Sequence, residues 1–198
     1  MDIRTQISRL SEDRLRTDVI MPTLKALGAY GVESFHGPSE EGKDVYFAYK
    51  DIFGEYKHCC FFIKAGNIKK SGKNDIRKMK GAIEEALFFE FVSPIDNKTT
   101  VRIEEFYFVC SGKFNKYARE YLFNIFKAKQ MPNVKIFDID KLTNIILKVV
   151  RQHNNISKKQ YIFDVKTFKR HCNDIIEYKE KEYTASKLLK HDEGKVIS

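Results

Sequence analysis

Two apolar runs at residues 43–49 and 57–65, separated by a polar turn around residues 53–56, constrain this chain more than any other feature. Read as strands, they form an antiparallel hairpin that lays the start of the first run beside the end of the second. Alternation places His58, Cys60, Phe62 and Lys64 on one face of the second run and Cys59, Phe61, Ile63 and Ala65 on the other. Both faces are mostly apolar, which is the pattern of an inner strand in a covered sheet. Asp44 opens the first strand and Lys64 closes the second, so the hairpin brings an acid and a lysine to one sheet edge. A lysine ending such a strand is costly to bury unpaired, so Lys64 must reach solvent or face an acid.

A chain of 198 residues is long enough for one good core with an appendage. Its 36 Lys and Arg against 27 Asp and Glu leave a net charge of +9, which favours polyanionic partners. No run of about 18 apolar residues occurs and residues 1–16 lack an apolar signal segment, so a soluble, cytoplasmic protein with no membrane partner is expected. Cys59, Cys60, Cys110 and Cys172 form no CxxC pair, and three of them lie in apolar strand-like runs as small buried hydrophobes.

In chain order, residues 11–27 read as a helix stopped by Gly28 and kinked or split by Pro22, with Leu15, Val19, Ile20, Leu24 and Leu27 on its apolar face. Asp18 falls among those apolar positions, either as a solvated helix acid or as a carboxylate aimed at the Asp44 and Lys64 edge. Residues 30–36 form a short first strand in which Glu33 can face either way. After Gly66 comes a basic stretch containing Lys69, Lys70, Lys73 and Arg77, running into a helix over residues 74–91. Basic residues at a helix start oppose the helix dipole, and a bound anion explains them better than stability does. Residues 101–110 alternate as a strand, and Ser111, Gly112 and Lys113 lead into a helix over 115–129, a turn in which Lys113 can touch a phosphate. A strand at 133–137 and a helix at 138–150 complete an α β β β α β α β α order. This predicts an α/β fold with a mixed central sheet flanked by helices. From Arg151 the composition changes to a linker and a charged helical stretch anchored by Phe163, Phe168, Ile175 and Ile176. The expected division is residues 1–150 as one domain and 151–198 as a C-terminal helical extension, able to pack on the core, pair with another copy or lead into an effector domain.

The order of a helix, then GPSEEGKD, FFIKAG, a basic helix, FYFVCSGK and FDIDKL resembles the Mrr-like branch of the restriction endonuclease-like, or PD-(D/E)XK, superfamily over residues 15–147. The resemblance implies an αβββαβ core and magnesium- or manganese-dependent hydrolysis of DNA phosphodiester bonds, commonly in bacterial defence. It implies Asp44 as a metal-binding aspartate and Lys64 as the catalytic lysine; the charge run itself sets Lys69, Lys70, Lys73 and Arg77, and the turn sets Lys113, as the expected contacts to the DNA backbone.

One position departs from that pattern. Two residues before the lysine, where Glu, Gln or Asp is usual, stands Phe62, which can neither coordinate a cation nor bond a water. Three readings follow: another acid, from Glu40, Glu41, Asp18 or Glu33, supplies the ligand; a single ion is held by Asp44, the Ile63 main-chain carbonyl and waters; or catalysis is lost. The last would leave a nucleic-acid-binding or scaffold module, either as a homodimer or tethered to an effector.

Overall fold

The computed structural model describes residues 2–35, 44–71, 76–88, 90–128, 134–153 and 164–193. Its centre is a five-stranded mixed sheet in the order β1-β2-β3-β6-β7, built from β1 (Tyr30–Ser34), β2 (Val45–Lys50), β3 (Tyr56–Lys64), β6 (Glu105–Cys110) and β7 (Val134–Phe137). The first three strands pair antiparallel, whereas β6 and β7 run parallel to β3 after helical crossovers. A separate two-stranded ribbon joins β4 (Phe91–Val92) to β5 (Thr100–Val101).

Helices cover both faces of the sheet, and β3 feeds both cores. Cys59, Phe61 and Ile63 point into a core with α1 (Ile3–Ser8), α3 (Met21–Leu27), α6 (Ile139–His153) and α7 (Val165–Glu193). Cys60 and Phe62 point into a second core beneath α4 (Lys80–Phe88) and α5 (Lys116–Ala128). This is the two-sided burial expected of the second hairpin strand.

The predicted helix over 11–27 is continuous in direction but not in hydrogen bonding. It runs as α2 (Glu12–Arg14), a π-helical segment Leu15–Ile20 and α3. Pro22 sits at the first positions of α3 and offers no N–H, so the ladder widens just ahead of it. Gly28, at φ +89°, ends α3 in the left-handed conformation. The expected strand over 101–110 divides in two: β5 joins the ribbon, and the main sheet resumes only at Glu105. Between them the Glu104 N–H donates to the His58 carbonyl (2.8 Å), and the Glu104 carboxylate accepts from the His58 N–H (2.9 Å). The helix after the basic stretch begins as a 3-10 turn, Ile76–Met79, before α4.

The expected extension includes α7, and that helix is part of the core. Val165, Phe168, Cys172 and Ile175 are buried among residues of α3 and α6, while the Phe163 anchor lies outside the described residues. Lys169 donates to Asp18 (2.8 Å), and the Lys179 ammonium bonds the Ala26 carbonyl in the last turn of α3 (2.7 Å). All four cysteines are buried and unpaired with one another. Among the described residues, no helix is long and apolar enough to cross a membrane.

His58 on β3 gives the fold a pH response. Its Nδ1 lies 2.6 Å from the hydroxyl of the fully buried Tyr46, a hydrogen bond whose direction follows the imidazole tautomer. Burial holds the His58 pKa below its ordinary 6.5, and burial likewise raises Tyr46 to about 12. A histidine with a depressed folded pKa binds its proton more readily in the unfolded chain, so its contribution is present above pH 6.5 and is lost as pH falls through the lower folded value. Thermal melts between pH 7.5 and 5 are therefore expected to show a falling midpoint below about pH 6.5 that flattens in His58→Asn.

Candidate active site

The carboxyl ends of β3 and β6 lie side by side, with Lys64 paired in register with Cys110. In open α/β sheets such ends are the ordinary place for a ligand. Ser111 donates its N–H to the Lys64 carbonyl (3.1 Å), so the peptide groups of Lys64 face β6. Those of Ile63, one residue earlier, face the opposite edge, towards β2. There the Ile63 N–H donates to Asp44 Oδ2 at 2.5 Å, and the Asp44 N–H donates to the Phe61 carbonyl at 3.0 Å. Asp44 immediately precedes β2, one residue before the Val45–Phe61 pair. Asp44 and Lys64 thus stand at the same end of the β2–β3 hairpin, Asp44 bonded to the Ile63 N–H and Lys64 to Glu12, and the Ile63 carbonyl leaves the strand on the Asp44 side.

The group that completes this corner comes from elsewhere. Glu12, the first residue of α2, places Oε2 3.1 Å from the Lys64 ammonium and Oε1 3.3 Å from the Ala65 N–H. Lys64 is a quarter exposed, and its ammonium also lies 4.8 Å from the Phe62 ring centroid. A carboxylate from the N-terminal helices therefore stands beside the strand-end lysine, while Phe62 turns into the second core.

The loops leaving β3 and β6 are stitched together directly below. The buried Ser111 hydroxyl accepts from the Gly66 N–H (2.8 Å), Asn67 Oδ1 accepts from the Lys113 N–H (2.7 Å), and Ile68 exchanges backbone bonds with Lys113 and Asn115. Gly112 is forced here by close approach. A Cβ on it would lie 2.6 Å from the Gly66 carbonyl carbon and 2.7 Å from the Asn67 nitrogen, both backbone atoms that cannot swing aside. Gly112→Ala is expected to lower stability by about 1–3 kcal/mol in urea titration, the range for forcing extra volume into packed structure. It also displaces Ala65 and Gly66 beside Lys64.

The remaining sequence candidates fall in different places. Glu40, Glu41 and Lys73 lie outside the described residues. Asp18 is held by Lys169 on α7 and by Arg14 (3.1 Å), and these bonds keep its carboxyl below the usual value, the Lys169 bond contributing most. Glu33 is exposed on the edge strand β1, opposite Tyr46. Lys69, Lys70, Arg77 and Lys113 are all exposed. The Arg77 guanidinium bonds the Lys70 carbonyl (3.1 Å), and Lys113 pairs with Asp140 (3.0 Å). Among the described residues, no group of three or more His, Cys, Asp or Glu stands close enough to hold a metal ion.

No family model, curated protein or solved structure matches the chain. The site must therefore be read from its own geometry. Glu12 escaped sequence reasoning because it follows Ser11, whose hydroxyl accepts from the Arg14 N–H as an ordinary helix cap. Acids in that first turn are favoured by the helix dipole, so the composition of α2 is explained without any site.

The donor set suits a hard divalent cation. Asp44, Glu12 and the Ile63 carbonyl all offer oxygen atoms, and magnesium usually takes one or two carboxylates while keeping several waters. Asp44 is already oriented by the Ile63 N–H, which fixes the rotamer of the first of these ligands.

Proposed function

We propose that the protein is a metal-dependent nuclease that hydrolyses DNA phosphodiester bonds, with Glu12 taking the part that Phe62 cannot. The observation that carries this reading is the position of Glu12, bonded at once to Lys64 and to the backbone at the end of β3, across a strand end from Asp44. Asp44 and Glu12, with the Ile63 carbonyl, would hold magnesium or manganese. When bound, such an ion neutralises phosphate charge and makes its water more acidic.

The chain's own residues then have separable tasks. Lys64 would donate to the phosphate oxygen on which charge develops or orient the attacking water, and Glu12, its present partner, would share its carboxylate with the cation. Lys69, Lys70, Arg77 and Lys113 line the loops beyond the site and contact the phosphate backbone, each such contact contributing about 0.9 to the slope of log affinity against log salt.

Supercoiled plasmid incubated with magnesium or manganese tests this directly. Nicking or linearisation by the wild type that is lost in Asp44→Ala supports it, whereas an inert wild type that binds no divalent ion overturns it. The second reading, a nucleic-acid-binding module without catalysis, is favoured by one feature: Phe62 fills the usual ligand position as a core residue, 6% exposed. The same plasmid experiment separates the two.

A further inference from the structure

The loop that leaves Lys64 runs directly onto a pair of tyrosines. Ile68 bridges to Phe114 just before α5, and the ammonium of Lys70 lies 4.7 Å from the centroid of the Tyr117 ring in the first turn of that helix. Tyr117 and Tyr121, one helical turn apart, are nearly parallel, with centroids 6.0 Å apart and planes inclined by 19°. Both rings are half-buried against the second core, so each has one edge anchored in apolar packing, while Lys70 over Tyr117 and Arg77, bonded to the Lys70 carbonyl, are exposed. Core packing explains the buried edges. It does not explain why a solvated lysine and two parallel aromatic faces meet on the loop that continues from Lys64.

We infer that Tyr117 and Tyr121 form a stacking platform for a single-stranded DNA segment next to the cleavage site. This rests on the nuclease reading for its choice of polymer, and it adds a substrate class: DNA with unpaired bases, such as an overhang, flap or opened duplex. Bases of a single strand stack on aromatic side chains whatever their sequence, with cations alongside to take the phosphates. Lys70 then serves as a placeholder. In the free protein it covers the Tyr117 face; on binding it moves to a phosphate and a base takes its place. A paired duplex keeps its bases stacked on one another and gains nothing from the two rings.

Anisotropy with fluorescein-labelled oligothymidylate of roughly a dozen nucleotides and with a blunt duplex, both in EDTA, tests the platform apart from cleavage. Tyr117→Leu is expected to bind the single strand about 5- to 150-fold more weakly, the range for losing one stacked base, with duplex affinity unchanged. Unaltered single-strand affinity, or an equal loss on both ligands, overturns the inference. The chain contains no tryptophan, so Tyr117→Trp supplies a lone indole. Retained single-strand affinity with quenched emission supports the platform, and unquenched emission overturns it even if the leucine variant fails to fold. An enzyme that cuts plasmid but fails these measurements retains its activity and loses only the platform. A protein that passes them but never cuts is a single-strand binder.

Discussion

Glu12→Gln is expected to reduce metal-dependent cleavage by about 10²- to 10³-fold while leaving the chain folded, and Lys64→Ala to do the same. The substitution at Glu12 is nearly isosteric. An amide can still accept from the Ala65 N–H, now 3.3 Å from Oε1, so the local backbone has no reason to move. What disappears is the negative charge that faces Lys64 and would face a cation. Lys64→Ala removes the opposite charge and leaves Glu12 partly exposed to water, where an unpaired carboxylate is tolerated. The two variants separate on metal affinity. Calorimetric titration with manganese should show weaker binding in Glu12→Gln and binding at least as tight as wild type in Lys64→Ala, because a cation and an ammonium compete for Glu12. If Glu12 only tethers Lys64, Glu12→Gln will leave metal affinity unchanged, and the assignment of the acid falls.

The residues at this corner were unequally legible. The hairpin was readable because its two-sided apolar alternation, from Cys59 to Ile63, has few solutions other than an inner strand, and pairing then forces Asp44 and Lys64 together. The helix break at Pro22 was readable for a similarly local reason. The position of Glu12 was not, because it depends on how α2 docks across the sheet end, 52 residues away from Lys64 in the chain. Nothing in the spacing of SEDR encodes that docking. Asp18, which fell on the apolar face and so looked purposeful, is claimed by Lys169, 151 residues away on α7. Its burial reflects the packing of α7 on the N-terminal helices, a contact that a charged and weakly periodic stretch gave little reason to expect. The split of the strand over residues 101–110 was hidden for the opposite reason. Its alternation is continuous, and the exit of β5 into a second ribbon is decided by the tie between Glu104 and His58.

Placing an acid at position 62 is expected to harm the protein without creating a better enzyme. The Phe62 ring lies in a stack with Phe106, centroids 6.2 Å apart, and meets Phe108 edge-on at 5.0 Å. Phe62→Ala should cost about 3–5 kcal/mol, the usual range for deleting a buried phenylalanine. Phe62→Glu loses the same packing and adds the desolvation of a carboxylate, which the nearby Lys64 ammonium offsets only in part. Urea denaturation should therefore show a midpoint for Phe62→Glu no higher than that of Phe62→Ala. Phe62→Leu, which keeps most of the apolar volume, should retain most of the stability and all of the cleavage activity, since the ring takes no part in holding a cation. A folded Phe62→Glu variant that cleaves faster than wild type would mean that position 62 is the true ligand position and that Glu12 does not replace it. Unchanged metal dependence in Phe62→Leu, combined with its loss in Glu12→Gln, would instead place the second carboxylate on the N-terminal helix α2.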